Sequence, residues 1–291
     1  MGNTRTSTLP LGRVGFSVAS KLADIFRRYG DYADQVMDSY GQELKAIAYA
    51  ARRNMTTDLM NRLEIDGNRI QKNEHNARIL RTLDRRFVTK MNRAGYRALT
   101  EEFVDHFTHQ QVFMEDILRT VTSRMKTPLV EVTKRARVAG ELYQRSAGRV
   151  LASTLDSVAA GITKRVLFSV GGLDVAGMTE VLIERFGVSI TEASTLAETL
   201  HQTYFRTVMA EQFAELEEQN GRLKVRYWYD GPRDDRNRIF CVKQLNREKS
   251  ITRLQIERLD NGQLPNPFVT CGGFNCRHQW IPDQDSLAEA A

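Results

Sequence analysis

The sequence predicts a mainly α protein, with long N-terminal helices followed by a small α+β C-terminal domain held by a possible zinc staple. Three observations carry this prediction. Between residues 11 and 231 the only proline is Pro128, whereas Pro232, Pro265, Pro267 and Pro282 crowd the last 60 residues. Proline lacks an N–H and clashes with the helical ladder, so so long a stretch with a single proline favours long helices. Apolar residues in that stretch recur at helical spacing. Past Gly221 the pattern changes to alternation, and both tryptophans (Trp228 and Trp280) and all three cysteines lie there. The chain of 291 residues therefore divides into a helical region, 1–168, and a C-terminal domain, 169–291, whose Cys/His knob spans 223–283.

The elements follow in order. Phe16, Val18, Leu22, Ile25 and Phe26, continued by Val36, Tyr40, Leu44 and Ile47, predict helix over 16–51, with Gly30 and Gly41 as points where it can break. Residues 75–94 and 99–126 read as helices, the second with a stripe of Leu99, Phe103, Phe107, Phe113 and Ile117. Pro128 suits the first turn of a helix over roughly 128–168. Gly171-Gly172 marks a break. A short helix over 174–186 is expected to end at Gly187, and Ser189 with Glu192 has capping-box spacing for the next, which runs to Glu218 before Asn220-Gly221. KVRYWYDG, 224–231, alternates Val225, Tyr227 and Tyr229 with polar neighbours and reads as a strand entering a turn. Residues 235–246 suit a short helix opened by Asp234 or Asp235. Thr252–Leu259 suits another, closed by Asn261-Gly262. HQWIP reads as a short strand, and the tail DQDSLAEAA as frayed.

Composition bounds the function. Apolar residues make up 41% and charged residues 27%, which suits a packed core rather than disorder. The net charge of +6 permits a nucleic-acid contact without demanding one. Residues 224–291 hold eleven Lys/Arg against nine Asp/Glu, so the charge is not gathered in the tail. The clusters Arg81, Arg85, Arg86 and Lys134, Arg135, Arg137 read as solvated helix faces. MGNTRTSTLPLG has no apolar segment of a secretory signal, although Met1, Gly2 and Thr6 match the permissive myristoylation pattern. No apolar run spans a bilayer, so no membrane partner is expected. Three cysteines cannot all pair, which favours a reducing compartment.

Cys241, Cys271, Cys276 and His278 have the spacing C-x29-C-x4-C-x-H. Thiolates and imidazole are the ligands of a tetrahedral structural zinc, and such a staple suits a small region that cannot build a large core. Gly272-Gly273 allows a tight turn between two of the thiols, and Cys276 and His278 face one side of an extended segment. Three buried thiols with a surface histidine, or a disulfide, are the other readings. Four protein ligands would leave no position for a catalytic water. DGPRDDRNRIFC, 230–241, offers Asp234 and Asp235 as an acid/base pair, or as a helix cap with locally paired arginines, and the second reading is the plainer one. His106 and His109 stand three apart on a helix without a second Glu-x-x-His, while His75 and His201 are isolated. No phosphate-binding glycine loop, HExxH or GxSxG occurs.

Residues 170–283 resemble the head-morphogenesis domain of tailed phages, the minor head protein family typified by phage Mu. The resemblance is carried by RFGVSITEASTLAETLHQTYFRTVMAEQF, 185–213, by the aromatic strand and Asp234-x-Arg236-x-Arg238-x-x-Cys241, and by the block Cys276-Arg277-His278-x-Trp280-x-Pro282. The chain departs at Ala197-Glu198-Thr199, where the family often has Ala-Arg-Thr. The resemblance implies a virion structural protein, without catalysis, acting in capsid assembly or DNA packaging near the portal. It would be assembled in the bacterial host cytoplasm, oligomeric or bound into the head, with the portal or major capsid protein as partner and packaged DNA as a further contact. The alternative is a zinc-containing nucleic-acid-binding module using Arg277, Trp228, Trp280 and Phe274. An enzyme using Asp234, Asp235 and His278 is the third reading.

Overall fold

The computed structural model describes residues 16–123, 132–167, 174–219, 224–283 and 285–286. The mainly α class with long N-terminal helices and a small strand-bearing C-terminal region is what it shows. The element order is α1 (Phe16–Arg62), β1 (Ile65–Asp66), β2 (Arg69–Ile70), α2 (Glu74–Leu80), α3 (Leu83–Arg93), α4 (Tyr96–His109), α5 (Gln111–Thr122), α6 (Lys134–Ala159), α7 (Ile162–Leu167) and α8 (Val175–Gln219). Then come β3 (Arg226–Asp230), α9 (Ile239–Leu245), β4 (Ile251–Thr252), α10 (Arg253–Glu257), α11 (Pro267–Thr270) and β5 (Gln279–Pro282). Among the described residues no helix is long and apolar enough to cross a membrane.

Several boundaries differ from the sequence reading, each for a local reason. Helix α1 runs unbroken through Gly30 and Gly41 to Arg62, because Leu22, Ile25, Tyr29, Ala33, Val36, Tyr40, Leu44, Ala48, Ala51 and Met55 form one buried stripe along it. The 75–94 helix is instead two, broken at Thr82, whose hydroxyl donates to the Ile79 carbonyl at 2.7 Å. The 99–126 helix is broken at Gln110, and the 128–168 helix at Ala160-Gly161, where Gly161 has φ +86°. Pro128, Gly171-Gly172, Asn220-Gly221 and most of the tail lie outside the described residues.

The largest correction concerns α8. Gly187 does not end a helix and Ser189 does not cap one. Ser189 is fully buried and its hydroxyl donates back to the Phe186 carbonyl at 2.7 Å. Leu182, Phe186, Ser189, Ala193 and Ala197 continue one buried face through the expected break. The cap lies at Asp174, whose carboxylate accepts from the Gly177 N–H at 2.6 Å. Asp234 and Asp235 likewise do not open α9, whose N-cap is Arg238 with no side-chain bond. Thr252 opens α10 through a capping box with Gln255.

The chain forms two compact units, each drawn from separated segments, and the division at 168/169 made from composition does not mark their border. One unit takes residues 36–104 and 146–197. Its core holds Phe87 against Phe186, with ring centroids 4.6 Å apart, and the Tyr96 hydroxyl donating to the Leu151 carbonyl at 2.8 Å. The other takes residues up to 35, 105–145 and everything from 198 onward. There Tyr29 stacks on Phe205 at 4.1 Å and Phe107 on Tyr204 at 4.9 Å.

This second unit carries a three-stranded antiparallel sheet of order β4-β3-β5. Strand β3 is central, with Tyr227 opposite both Ile251 and Pro282, and Tyr229 opposite Trp280. Val225, Tyr227 and Tyr229 are buried, as their alternation predicts, and Tyr227 packs edge-on against Phe213 of α8. Pro282 sits on an edge strand, where a missing N–H is tolerated.

Candidate metal centre

Three separated segments of the knob converge. Helix α9 supplies Cys241, the turn after α11 leads to Cys276, and the extended segment entering β5 supplies His278. The ligating atoms of these three residues all lie within 4.8 Å of one another. The Cys241 and Cys276 sulfurs are 3.9 Å apart, and Cys276 Sγ is 3.6 Å from His278 Nδ1. All three side chains are buried, at 2%, 3% and 3% exposure, so water does not compete at the site. Two thiols and an imidazole in so small a buried volume can hold a metal ion.

The surrounding backbone orients each group. His278 Nε2 faces the Pro232 carbonyl at 3.0 Å, which places a ring proton on Nε2, and Nδ1 faces Cys276 Sγ. Gly231 lies behind the ring. A Cβ there would stand 2.6 Å from His278 Cδ2 and 2.9 Å from its Cα, and its φ of +153° also disfavours a side chain. The Gly272 N–H donates to Cys276 Sγ at 3.1 Å. The Tyr229 hydroxyl lies 3.5 Å from Cys241 Sγ and 3.4 Å from Cys276 Sγ, with its ring stacked on His278 at 5.2 Å and 6°.

Charge is distributed unequally over the thiols. The bond from the Cys241 S–H, above all, holds the Cys276 thiol well below its ordinary range, against the effect of burial, with His278 and Arg206 adding to the lowering. Cys241 is raised, because it keeps the proton in that shared bond and because it is buried. Of the two thiols Cys276 is the more readily ionised, and the thiolate is the form that binds metal.

Of the four ligands expected from spacing, Cys241, Cys276 and His278 are brought together in this group, and Cys271 is not among them. That residue caps α11 with φ +51° and ψ −119°, and the N–H of the next residue donates to Cys276 Sγ. The Cys271 thiol is fully buried. Burial outweighs the nearby Arg206 charge, pushing it up to about 12.

Neither the family models nor the curated proteins nor the solved structures offer a match to this chain.

The other sequence candidates take structural roles. Asp234 accepts from Arg277 Nη2 on both carboxylate oxygens, at 2.8 and 2.7 Å, and from the Arg236 N–H at 3.1 Å. Partial burial opposes its ionisation, but the Arg277 hydrogen bonds and charge prevail and hold the carboxyl below its usual range. Asp235 is exposed, and neither aspartate belongs to the ligating group. His106 and His109 rings lie 5.8 Å apart, in no ligating group, with His106 beside the Tyr32 hydroxyl. His75 faces the Arg62 carbonyl at 2.9 Å. His201 lies in the aromatic cluster with Tyr29 and Phe107, where burial lowers it to about 3 and keeps it neutral.

Sequence reasoning missed two residues of the site, Tyr229 and Arg206. Tyr229 read only as an inward strand residue. Arg206 lies on α8 among Tyr204, Phe205, Val208 and Met209, and a charge set in so apolar a stretch is the signal that marks it. It is buried, and donates to the Cys276 carbonyl at 2.5 Å and the His278 carbonyl at 2.6 Å.

One consequence is direct. A Cβ on Gly272 would overlap Cys241 Sγ and stand 3.1 Å from Cys276 Sγ. Gly272→Ala is expected to cost about 1–3 kcal/mol, the range for overpacking a tight core, and to abolish metal uptake. Elemental analysis of the dialysed variant checks this, and full metal content would contradict it.

Proposed function

We propose that this chain is a minor head protein of a tailed phage, a virion structural protein without catalytic activity, whose C-terminal knob is held by structural zinc. The observation that carries the reading is the joining of the blocks that bear the family resemblance. Arg206, within 185–213, binds the carbonyls of Cys276 and His278 in the terminal block. Asp234 of the middle block pairs with Arg277 of the same terminal block. The residues that carry the likeness thus hold one another in place. Zinc suits the buried donors, being four-coordinate and content with thiolate and imidazole.

In this reading the knob is a rigid docking element that binds the portal or major capsid protein during head assembly or DNA packaging in the bacterial cytoplasm. The nucleic-acid alternative loses support, since Arg277 is committed to Asp234 and Trp280 is buried with its Nε1–H bonded to the Pro267 carbonyl at 2.9 Å.

Two measurements test the proposal. Heads or portal complexes purified from infected cells, analysed by mass spectrometry, are expected to contain this chain cross-linked to the portal or capsid protein. Its absence from every such assembly overturns the virion assignment. Elemental analysis of extensively dialysed protein is expected to return about one zinc per chain, and a zinc-free, fully folded knob overturns the staple.

A further inference from the structure

We infer that Tyr229 supplies the fourth ligand of the metal, so that Cys241, Cys276, His278 and Tyr229 form a closed shell of two sulfurs, one nitrogen and one oxygen. The inference rests on the zinc reading above and replaces Cys271 in it.

The first argument is metric. A tetrahedral ion with metal–sulfur bonds of about 2.3 Å and metal–nitrogen and metal–oxygen bonds of about 2.0 Å requires S···S edges of about 3.8 Å and S···N and S···O edges of about 3.5 Å. The two sulfurs are 3.9 Å apart and the sulfur–imidazole edge is 3.6 Å. The Tyr229 hydroxyl stands 3.5 and 3.4 Å from the two sulfurs. Four of the six edges of the polyhedron therefore match, two of them to the phenol oxygen, and the Cys241–His278 edge closes within 4.8 Å. Without metal the same contacts are hydrogen bonds between the phenol and the thiols.

The second argument is placement. Tyr229 is 5% exposed, lies on the central strand opposite Trp280, and is stacked flat on the His278 ring. The phenol cannot swing away without breaking both contacts, and it occupies the direction from which a water would approach. A shell completed by protein suits a structural site and leaves no position for a reacting water.

The third argument is charge. Arg206 is buried, and among the described residues it makes no ion pair with a carboxylate. A divalent metal with two thiolates and a neutral imidazole carries no net charge and leaves the guanidinium uncompensated. A fourth, anionic ligand would give the centre one negative charge to balance Arg206, and the Tyr229 hydroxyl is the oxygen that lies against both sulfurs. On loading, the phenol O–H and the thiol S–H protons pass to solvent as the metal–oxygen and metal–sulfur bonds form.

The test uses the full chain, stripped by chelation and titrated with Zn²⁺ and Co²⁺. Wild type is expected to take one ion, to show four-coordinate cobalt absorption with thiolate charge transfer, and to develop a tyrosinate difference band in step with binding. Tyr229→Phe is expected to keep the helical circular dichroism, to lose the tyrosinate band and to bind zinc at least about 100-fold more weakly, since changes merely outside a metal shell already cost 10–100-fold. Cys271→Ala is expected to match wild type. Metal uptake by wild type without a tyrosinate band overturns the Tyr229 assignment alone, whatever the fate of the variant. Loss of binding in Cys271→Ala with retention in Tyr229→Phe also overturns it. No uptake by wild type overturns the zinc staple and this assignment together.

Discussion

Chelation of the knob metal is expected to lower the thermal midpoint of the protein by about 10 °C. A ligand held at a thousand times its dissociation constant stabilises the folded state by about 4 kcal/mol. For a chain of this size each kcal/mol moves the midpoint by about 2–4 °C. The loss should concentrate in the knob, because Cys241 and the segment bearing Cys276 and His278 have only short helices and the two-residue strand β4 between them. Cys276→Ser is expected to reproduce the shift and to make it insensitive to chelator, because it removes one of the two sulfur donors of the group. Acid acts in the same direction, since protons compete with the metal for the thiolates. Scanning calorimetry with and without chelator measures the effect, and identical midpoints would show that the knob is held by packing alone.

The second large effect is expected at Arg206. Its guanidinium donates to the carbonyls of Cys276 and His278 at 2.5 and 2.6 Å and to that of Val269 at 3.4 Å. Hydrogen bonds from a charged donor contribute about 1.5–3 kcal/mol each, so losing the two short ones in Arg206→Met should cost about 3–5 kcal/mol, partly offset by the apolar side chain. Metal affinity should fall with it, because the segment that presents Cys276 and His278 loses its anchor. Arg206→Lys is not expected to rescue, since an ammonium lacks the planar fork that reaches several carbonyls at once. Arg97→Ala serves as control. That residue forms only an exposed i,i+4 pair with Glu101, and its loss should cost no more than about 0.5 kcal/mol. Denaturant midpoints of the three variants decide the matter, and an Arg206→Met cost as small as the control would remove Arg206 from the account.

Both effects bear on how the knob works in the proposed assembly role. A docking surface made of short elements keeps its shape only if something other than a large core holds it. The proposed metal centre and the buried guanidinium are two such devices, and their residues meet at the backbone of 276–278. A variant that weakens either is expected to leave the helices standing and to disorder the knob, so circular dichroism and metal content should separate.

The sequence by itself determined the class of fold and the neighbourhood of the site. Scarce prolines and helical spacing are local properties of the chain, and they suffice for long helices. Alternation in 224–231 suffices for β3, and thiols confined to the last third of the chain mark where a staple can form. Tertiary structure alone decided where helices stop and which side chains meet. At Gly187 and Ser189 the local signals for a stop and a cap are real, yet the buried face of Leu182, Phe186, Ser189 and Ala193 carries α8 straight through them, because packing along a continuous face outweighs the fraction of a kcal/mol to about 2 kcal/mol at stake in a cap or a helical glycine. In the same way spacing put Cys271 with Cys241, Cys276 and His278, but the fold gathers the ligating atoms of Cys241, Cys276 and His278 within 4.8 Å of one another, and the turn after α11 aims the Gly272 N–H at Cys276. Tyr229 comes to the site from 12 residues before Cys241, and Arg206 from 70 residues before Cys276. A ligating set is a convergence in three dimensions, and one-dimensional spacing records only those members that the chain happens to keep close together.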